Sequence, residues 1–343
     1  MKAVTVTGHG GLEKLAYIDQ ETPQPKQGEV LIEIKACALN NTEIWMREGA
    51  YGAESESGWK AEGVQFPRIP GSDISGRIVA VGAGVAETEL GRDVVLFPFT
   101  ASGEIADEQS AEDLSFIGSE YDGGYAEYVC WPLKLCYDMP LASYTDSAVF
   151  SVSGLTAWHM VEQLDLQQGQ TVLVTGASGG VGSLNVQIAK RVFGARVVAL
   201  VGDLKLTDQL HELGADLVVS YREQNWDQQV MQEVGPVDAI LDVVGDAVFK
   251  QGLDLLKRGG TYCISGSSGG QVTSLDFRTL YLKHIRLQGS VLGNRHDYEK
   301  LLDAVRTQTI QPVIDRTFPL AEAREAQAYF KQAGKFGKVV LLP

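Results

Sequence analysis

Residues 171–190 read TVLVTGASGGVGSLNVQIAK: a β-branched run, a turn carrying four glycines, then helical spacing. An apolar strand entering a Gly-rich turn and a helix is how a dinucleotide half-site begins. Glycine lets the backbone approach a pyrophosphate, and the first helical N–H groups bind its oxygens. Gly176, Gly179, Gly180 and Gly182 fall at those positions, with Ser178 and Val181 between them. A lone glycine triplet is weak evidence, but this one opens an array. Near-apolar runs follow from 196 (RVVALVG), 217 (LVVSY), 237 (VDAILDVVG), 260 (GTYCISG) and 286 (RLQGSVLG), separated by amphipathic segments such as SLNVQIAKRVF and LTDQLHELGA. Strands covered on both faces read this way. The pattern predicts an open, doubly wound α/β sheet with right-handed crossovers.

Residues 1 to about 130 differ. Alternating runs (VLIEIKA, GRIVAVG, RDVVLFPF) are broken by Gly and Pro, with no helices expected between them, which predicts a separate β-rich domain. A helix-like stretch, TDSAVFSVSGLTAWHMVEQL, joins the two domains. The tail VIDRTFPLAEAREAQAYFKQAGKFGKVVLLP returns to strand and helix and is expected to pack on the first domain. The polar segments 52–66 and 100–122 read as surface loops.

The Gly-rich turn admits a rival. Gly176 to Gly180 also fits G-x-S-x-G, which in a hydrolase places a nucleophilic serine, here Ser178, on a sharp elbow. Such a hydrolase carries strands before the elbow and an acid and a histidine after it; here the repeating sheet starts at the motif, although His284 and His296 are formally available. Ser178 therefore reads as a turn residue near phosphate.

Cofactor preference turns on the tip of the second strand. A carboxylate there holds the adenosine ribose of NAD, whereas a small residue followed by a cation accepts the extra phosphate of NADP. The sequence carries both signals: Gly202 at the tip, then Asp203 and Lys205, with Tyr221 and Arg222 closing the third strand. The reading favours NADPH over NADH; a solvated surface is the plain alternative for Lys205 and Arg222.

Composition narrows the classes. The 343 residues suit two domains, and 44% hydrophobic with 21% charged residues describes a globular chain. A net charge of −15 repels nucleic acid and acidic lipid. The start, MKAVTVTGHG, lacks an export signal and no run has the length of a membrane span, so a cytoplasmic protein with no membrane partner is expected. Cys37, Cys130, Cys136 and Cys263 form no CxxC pair and the five histidines no HExxH, which predicts scattered core thiols and no metal site.

Taken together, GEVLIEIKACALNNTE, IPGSDISGRIVAVGAGV, GRDVV, DGGYAEYV, SGLTAWHMV, TGASGGVG, LGAD, LDVVG and GKVVLL resemble the medium-chain dehydrogenase/reductase superfamily, and more closely its zinc-free, quinone-oxidoreductase-like branch. The resemblance spans essentially the whole chain. It implies a GroES-like catalytic domain over 1–145, completed by 294–343, and a Rossmann domain over 146–293. In zinc-dependent relatives a cysteine ligand stands where this chain has Asn40, a GHE motif where it has Ser72 and Asp73, and a third ligand near Val152. Amide and hydroxyl oxygens hold Zn²⁺ poorly. A structural-zinc lobe would fall in 100–122, which has no cysteine. Neither zinc is expected.

By the same resemblance, LNNTEIWMREGAY (39–51) is the active-site segment. Asn40 is expected beside the nicotinamide ribose or substrate, and Tyr51 matches an active-site tyrosine whose phenol, with an ordinary pKa of about 10, donates a proton or orients a carbonyl. Asn41, Glu43 and Trp45 are expected to cap or pack the segment. Thr156, Val243, Val244, Ser265, Gly266, Leu292 and Lys338 are implied cofactor contacts. The expected activity is zinc-independent hydride transfer from NADPH to a quinone or an α,β-unsaturated carbonyl, in a homodimer or homotetramer. A zinc-free, alcohol-dehydrogenase-like carbonyl reductase and a low-turnover nucleotide-binding sensor are the alternatives.

Overall fold

The computed structural model describes residues 1–50, 64–102 and 105–343. The chain forms two compact units: Met1–Ser153 with Pro312–Gln332 and Lys338–Pro343, and Gly154–Gln311 with Ala333–Gly337. These bounds differ from those read in the sequence, because 146–153 go with the first unit and 294–311 and 333–337 with the second. The reason lies in helix Arg295–Arg306. It buries Tyr298, Leu301, Leu302 and Val305, and its Asp297 pairs with His159 of helix Ser153–Glu162 at 2.8 Å.

In the second unit the apolar runs become strands Thr171–Thr175, Arg196–Val201, Leu217–Ser220, Val237–Asp242, Leu256–Ile264 and Arg286–Gly289. All pairings are parallel. By starting residue the order across the sheet is 217, 196, 171, 237, 256, 286. Successive connections thus run outward on opposite sides of the junction between Thr171–Thr175 and Val237–Asp242, the switch point of a doubly wound sheet. Leu173, Val198, Leu200, Val219, Ile240 and Tyr262 form its core with Val248, Phe249 and Leu253 of helix Asp246–Leu255. The last strand departs from expectation. It is the sheet edge, and its Arg286, Leu287 and Gly289 are exposed.

The first unit is built on a seven-stranded sheet in which Glu29–Ala38 pairs antiparallel with Asp73–Val81, Tyr128–Pro132 and the tail strand Lys338–Leu342. The tail thus packs on this unit by strand pairing. The expectation of no helices is corrected by Asn41–Glu48, which lies between the first two of these strands. Asn40 is extended (φ −132°, ψ 164°), and its N–H donates to the Glu43 carboxylate at 2.6 Å. Gly49, at φ +83°, closes the other end in the left-handed region that favours glycine. Capping thus makes a helix too short for hydrophobic periodicity to reveal. The 100–122 segment is not wholly a surface loop either. Phe99–Thr100 pairs with Ser115–Phe116, and Leu114, Phe116 and Ile117 are buried. Among the described residues no helix is long and apolar enough to cross a membrane.

Candidate active site

In the first unit, residues far apart in sequence converge on one buried cluster. Lys338 Nζ donates to Asn40 Oδ1 at 2.6 Å, Asp73 Oδ2 at 2.7 Å and Ser153 Oγ at 2.8 Å, which commits all three ammonium protons. Ser153 Oγ donates in turn to Asn40 Oδ1 at 3.0 Å, and Asn40 Nδ2 donates to Asp73 Oδ2 at 3.1 Å. With two donors on its oxygen and a carboxylate at its nitrogen, the Asn40 amide has one consistent orientation. The Val152 N–H donates to the other Asp73 oxygen. Every side chain in the cluster is buried.

Glu43 stands behind Asn40. Burial pushes its carboxyl up from the ordinary 4.5 to about 7; the Lys338 charge and the Asn40 N–H pull it down, and the Asp73 charge raises it again. Cys37 is also enclosed here, and burial, followed by the Glu43 and Asp73 charges, holds its thiol well above the usual range.

This donor set does not fit zinc. Asn40 and Asp73 already face an ammonium, and the Ser72 hydroxyl donates to the Ile117 carbonyl at 2.7 Å. Val152 offers only its N–H to the cluster, and Cys37 keeps its proton. A second cation would meet the Lys338 charge without a thiolate or imidazole to hold it. Among the described residues no group of three or more His, Cys, Asp or Glu is placed around a metal position. All four cysteines are free.

In the second unit the Gly-rich turn has the form a pyrophosphate needs. Gly176 is left-handed (φ +56°), and a Cβ there would meet Val243 Cγ2 at 3.0 Å and Val244 Cγ2 at 3.3 Å. A Cβ at Gly182 would stand 2.1 Å from the Gly176 oxygen, so only glycine lets the helix approach the turn. Gly179 precedes helix Gly180–Gln187, which presents the N–H groups of Gly180, Val181 and Gly182 in its unbonded first turn. Ser178 is held from behind, where its carbonyl accepts the Gly337 N–H at 2.8 Å and Gly179 bridges to Gly337. These features fit a dinucleotide.

Gly202 and Tyr221 sit on adjacent strand tips, where the Tyr221 N–H reaches the Val201 carbonyl at 3.0 Å, and a Cβ at Gly202 would lie 2.4 Å from the Tyr221 oxygen. Asp203 caps the following turn by accepting the Lys205 N–H at 3.0 Å, while Lys205 and Arg222 are exposed. Ser265 donates its N–H to the Asp242 carbonyl at 2.9 Å, and Gly266 lies where a Cβ would meet the Val243 oxygen at 2.7 Å. Thr156 is buried in helix Ser153–Glu162, and Leu292 is buried with φ +50°. Tyr51 lies outside the described residues. The histidines of the hydrolase rival are engaged on the surface, His284 with Arg258 at 2.8 Å and His296 with Glu299 at 3.9 Å.

Sequence reasoning missed Ser153 and gave Asp73 no part beyond its metal-ligand position. It also missed Asp242. One signal was available for Asp242, an acid directly after the apolar run Ala239–Leu241 in VDAILD, whereas DISGRIVAV carries Ser75 and Arg77 beside Asp73 and gives no such signal.

Comparison with known proteins gives two family matches, an alcohol dehydrogenase GroES-like domain over residues 26–141 and a zinc-binding dehydrogenase domain over residues 180–307. A solved NAD-dependent alcohol dehydrogenase is 31% identical, with a TM-score of 0.92 and all of both chains covered. A cobalt- and zinc-bound thermostable alcohol dehydrogenase from Pyrobaculum aerophilum is 30% identical, with a TM-score of 0.89 over 100% of this chain and 99% of that one. The quinone oxidoreductase of Homo sapiens is 28% identical over 100% of this chain and 98% of its own.

Proposed function

The chain belongs to the medium-chain dehydrogenase/reductase superfamily of nicotinamide-dependent oxidoreductases, and on that premise we propose that it reduces a quinone or an α,β-unsaturated carbonyl with NADPH and without zinc. The observation that carries this reading is the Lys338 ammonium bonded to Asn40, Asp73 and Ser153. Positions that match metal ligands in zinc-dependent relatives are tied to an internal cation instead. Without a Lewis acid, alcohol oxidation loses alkoxide stabilisation on the order of several kcal/mol. Conjugated acceptors need less help, since their negative charge spreads to oxygen and is quenched by a hydrogen-bond donor.

The bound nucleotide supplies the hydride. The chain's own residues do the rest. Gly176 to Gly182 receive the pyrophosphate, with Val243 and Val244 packed against the turn. Lys205 and Arg222 face the extra phosphate of NADPH, and the Tyr221 phenol stands over Gly202, where a ribose-binding carboxylate would have to displace it. Asn40 is locked by three partners, so its part is to hold the start of helix Asn41–Glu48 in a fixed place. Tyr51 supplies the proton or hydrogen bond to the acceptor oxygen. A homodimer is supported by the uncovered edge strand Arg286–Gly289 and the neighbouring exposed Phe277, Tyr281 and Leu282, and sedimentation tests it.

The test of function is NADPH consumption with panels of quinones and enones, comparing wild type with Tyr51→Phe and Asn40→Ala. Each substitution is expected to slow turnover by about 100-fold. Equal rates in all three proteins would remove the assignment of this loop.

A further inference from the structure

Asp242 is the last residue of strand Val237–Asp242 and is completely buried. One of its oxygens accepts from the Thr175 hydroxyl, the Val244 N–H at 2.8 Å and the Gly245 N–H at 3.2 Å. The other accepts from the Tyr262 hydroxyl at 2.9 Å and the Gly245 N–H at 3.1 Å. Thr175 ends the neighbouring strand, so the carboxylate joins the two strands that flank the switch point. Backbone N–H groups can only donate, and this acceptor-only pattern is that of an ionised carboxylate. Among the described residues no Lys, Arg or His pairs with it. Its charge is offset by neutral dipoles alone.

A neutral acceptor would tie the same turn without the cost of burying a charge, so the charge itself calls for a use. Nucleotides in this fold lie in the crevice outside the carboxyl ends of the strands, at the switch point that Asp242 underlies. Departure of a hydride breaks a C–H bond of the reduced nicotinamide with both electrons and leaves its ring one unit more positive. The acceptor takes the electron pair with the hydrogen, and its oxygen then takes a proton.

We propose that Asp242 poises the bound nicotinamide couple, its buried charge favouring the oxidised nucleotide over the reduced one and so promoting hydride departure. This rests on nicotinamide nucleotide binding at the Gly-rich turn of the same unit. Asp242 does not touch the reacting atoms. It is a positioning residue that acts through its field and through the Val243–Gly245 turn it holds.

The experiment is calorimetric titration of the full chain with NADP⁺ and NADPH, and with NAD⁺ and NADH, in wild type and Asp242→Asn. Asn is nearly isosteric, keeps an acceptor for Thr175 and the turn, and turns its amide to the Tyr262 oxygen. The ratio of the dissociation constants, oxidised over reduced, is expected to rise about threefold or more. Tyr262→Phe removes a neutralising donor and keeps the charge, so there the ratio is expected to fall; this variant decides the matter should Asp242→Asn not fold. Equal shifts in both constants would mean that Asp242 only shapes the turn, and the proposal would be wrong. Absence of binding by any nucleotide to wild type would instead overturn the nucleotide reading on which it stands.

Discussion

Lys338 and Asp73 form an ion pair 2.7 Å long in which the lysine side chain is 3% exposed and the aspartate 0%. Such a pair gains little over an apolar substitute, but removing one member strands the other charge. Lys338→Met is therefore expected to destabilise the protein by about 3 to 5 kcal/mol. Urea denaturation checks this, and a loss below about 1 kcal/mol would show that the charges are not buried as described. Adding Asp73→Asn to Lys338→Met is expected to cost less than the sum of the two, because the second change removes the stranded carboxylate.

Glu43 makes stability depend on pH. Its folded pKa, about 7, lies above the ordinary 4.5, so the native state binds more protons than the unfolded state between those values. The stabilisation from protonated Glu43 is fully present below about 4.5 and is lost as pH rises through about 7, by about 3 kcal/mol in all. Glu43→Gln keeps an acceptor for the Asn40 N–H and abolishes the titration. Unfolding free energies at pH 5 and pH 8 should fall more steeply in wild type than in the variant. Parallel profiles would assign the pH dependence elsewhere.

Coenzyme choice is tested at the strand tips. Arg222→Ala is expected to weaken NADPH about tenfold with little effect on NADH, the loss of one charge-assisted contact. Gly202→Asp must displace the Tyr221 ring and brings a carboxylate to the ribose, so it should reverse the preference. Fluorescence titration with both nucleotides reads the change. An unaltered ratio in both variants would place the discriminating contact at other residues.

Zinc is tested directly. Protein prepared in zinc-supplemented medium is expected to hold well below one equivalent by elemental analysis, and a strong chelator should leave NADPH consumption unchanged. Stoichiometric zinc lost together with activity would contradict the donor chemistry around Asn40.

The nucleotide half of the fold was legible because its signals are local. Gly176, Gly179 and Gly182 fall within a few residues of the strand and helix they join, and the strands around them are mostly apolar. The buried cluster was less legible because it is made of distance in sequence. Lys338 reaches Asn40 across 298 positions and Ser153 across 185. Nothing near GKVVLL announces that its lysine is turned inward; a Lys at the start of a strand is an ordinary surface residue. Helix Asn41–Glu48 escaped notice for the opposite reason, since a capped segment of eight residues is too short to declare a period.

The cluster also imposes an order on biogenesis. Lys338 is synthesised 265 residues after Asp73, behind the whole of the nucleotide-binding sheet. At about 5 to 20 residues per second the ribosome needs roughly a quarter of a minute to a minute to cover that span. Throughout that time the emerging first domain has its aspartate but neither the counter-charge nor the tail strand that pairs with Cys37 and Ala38. The domain translated first is therefore completed last, when the strand Lys338–Leu342 has emerged to pair with it.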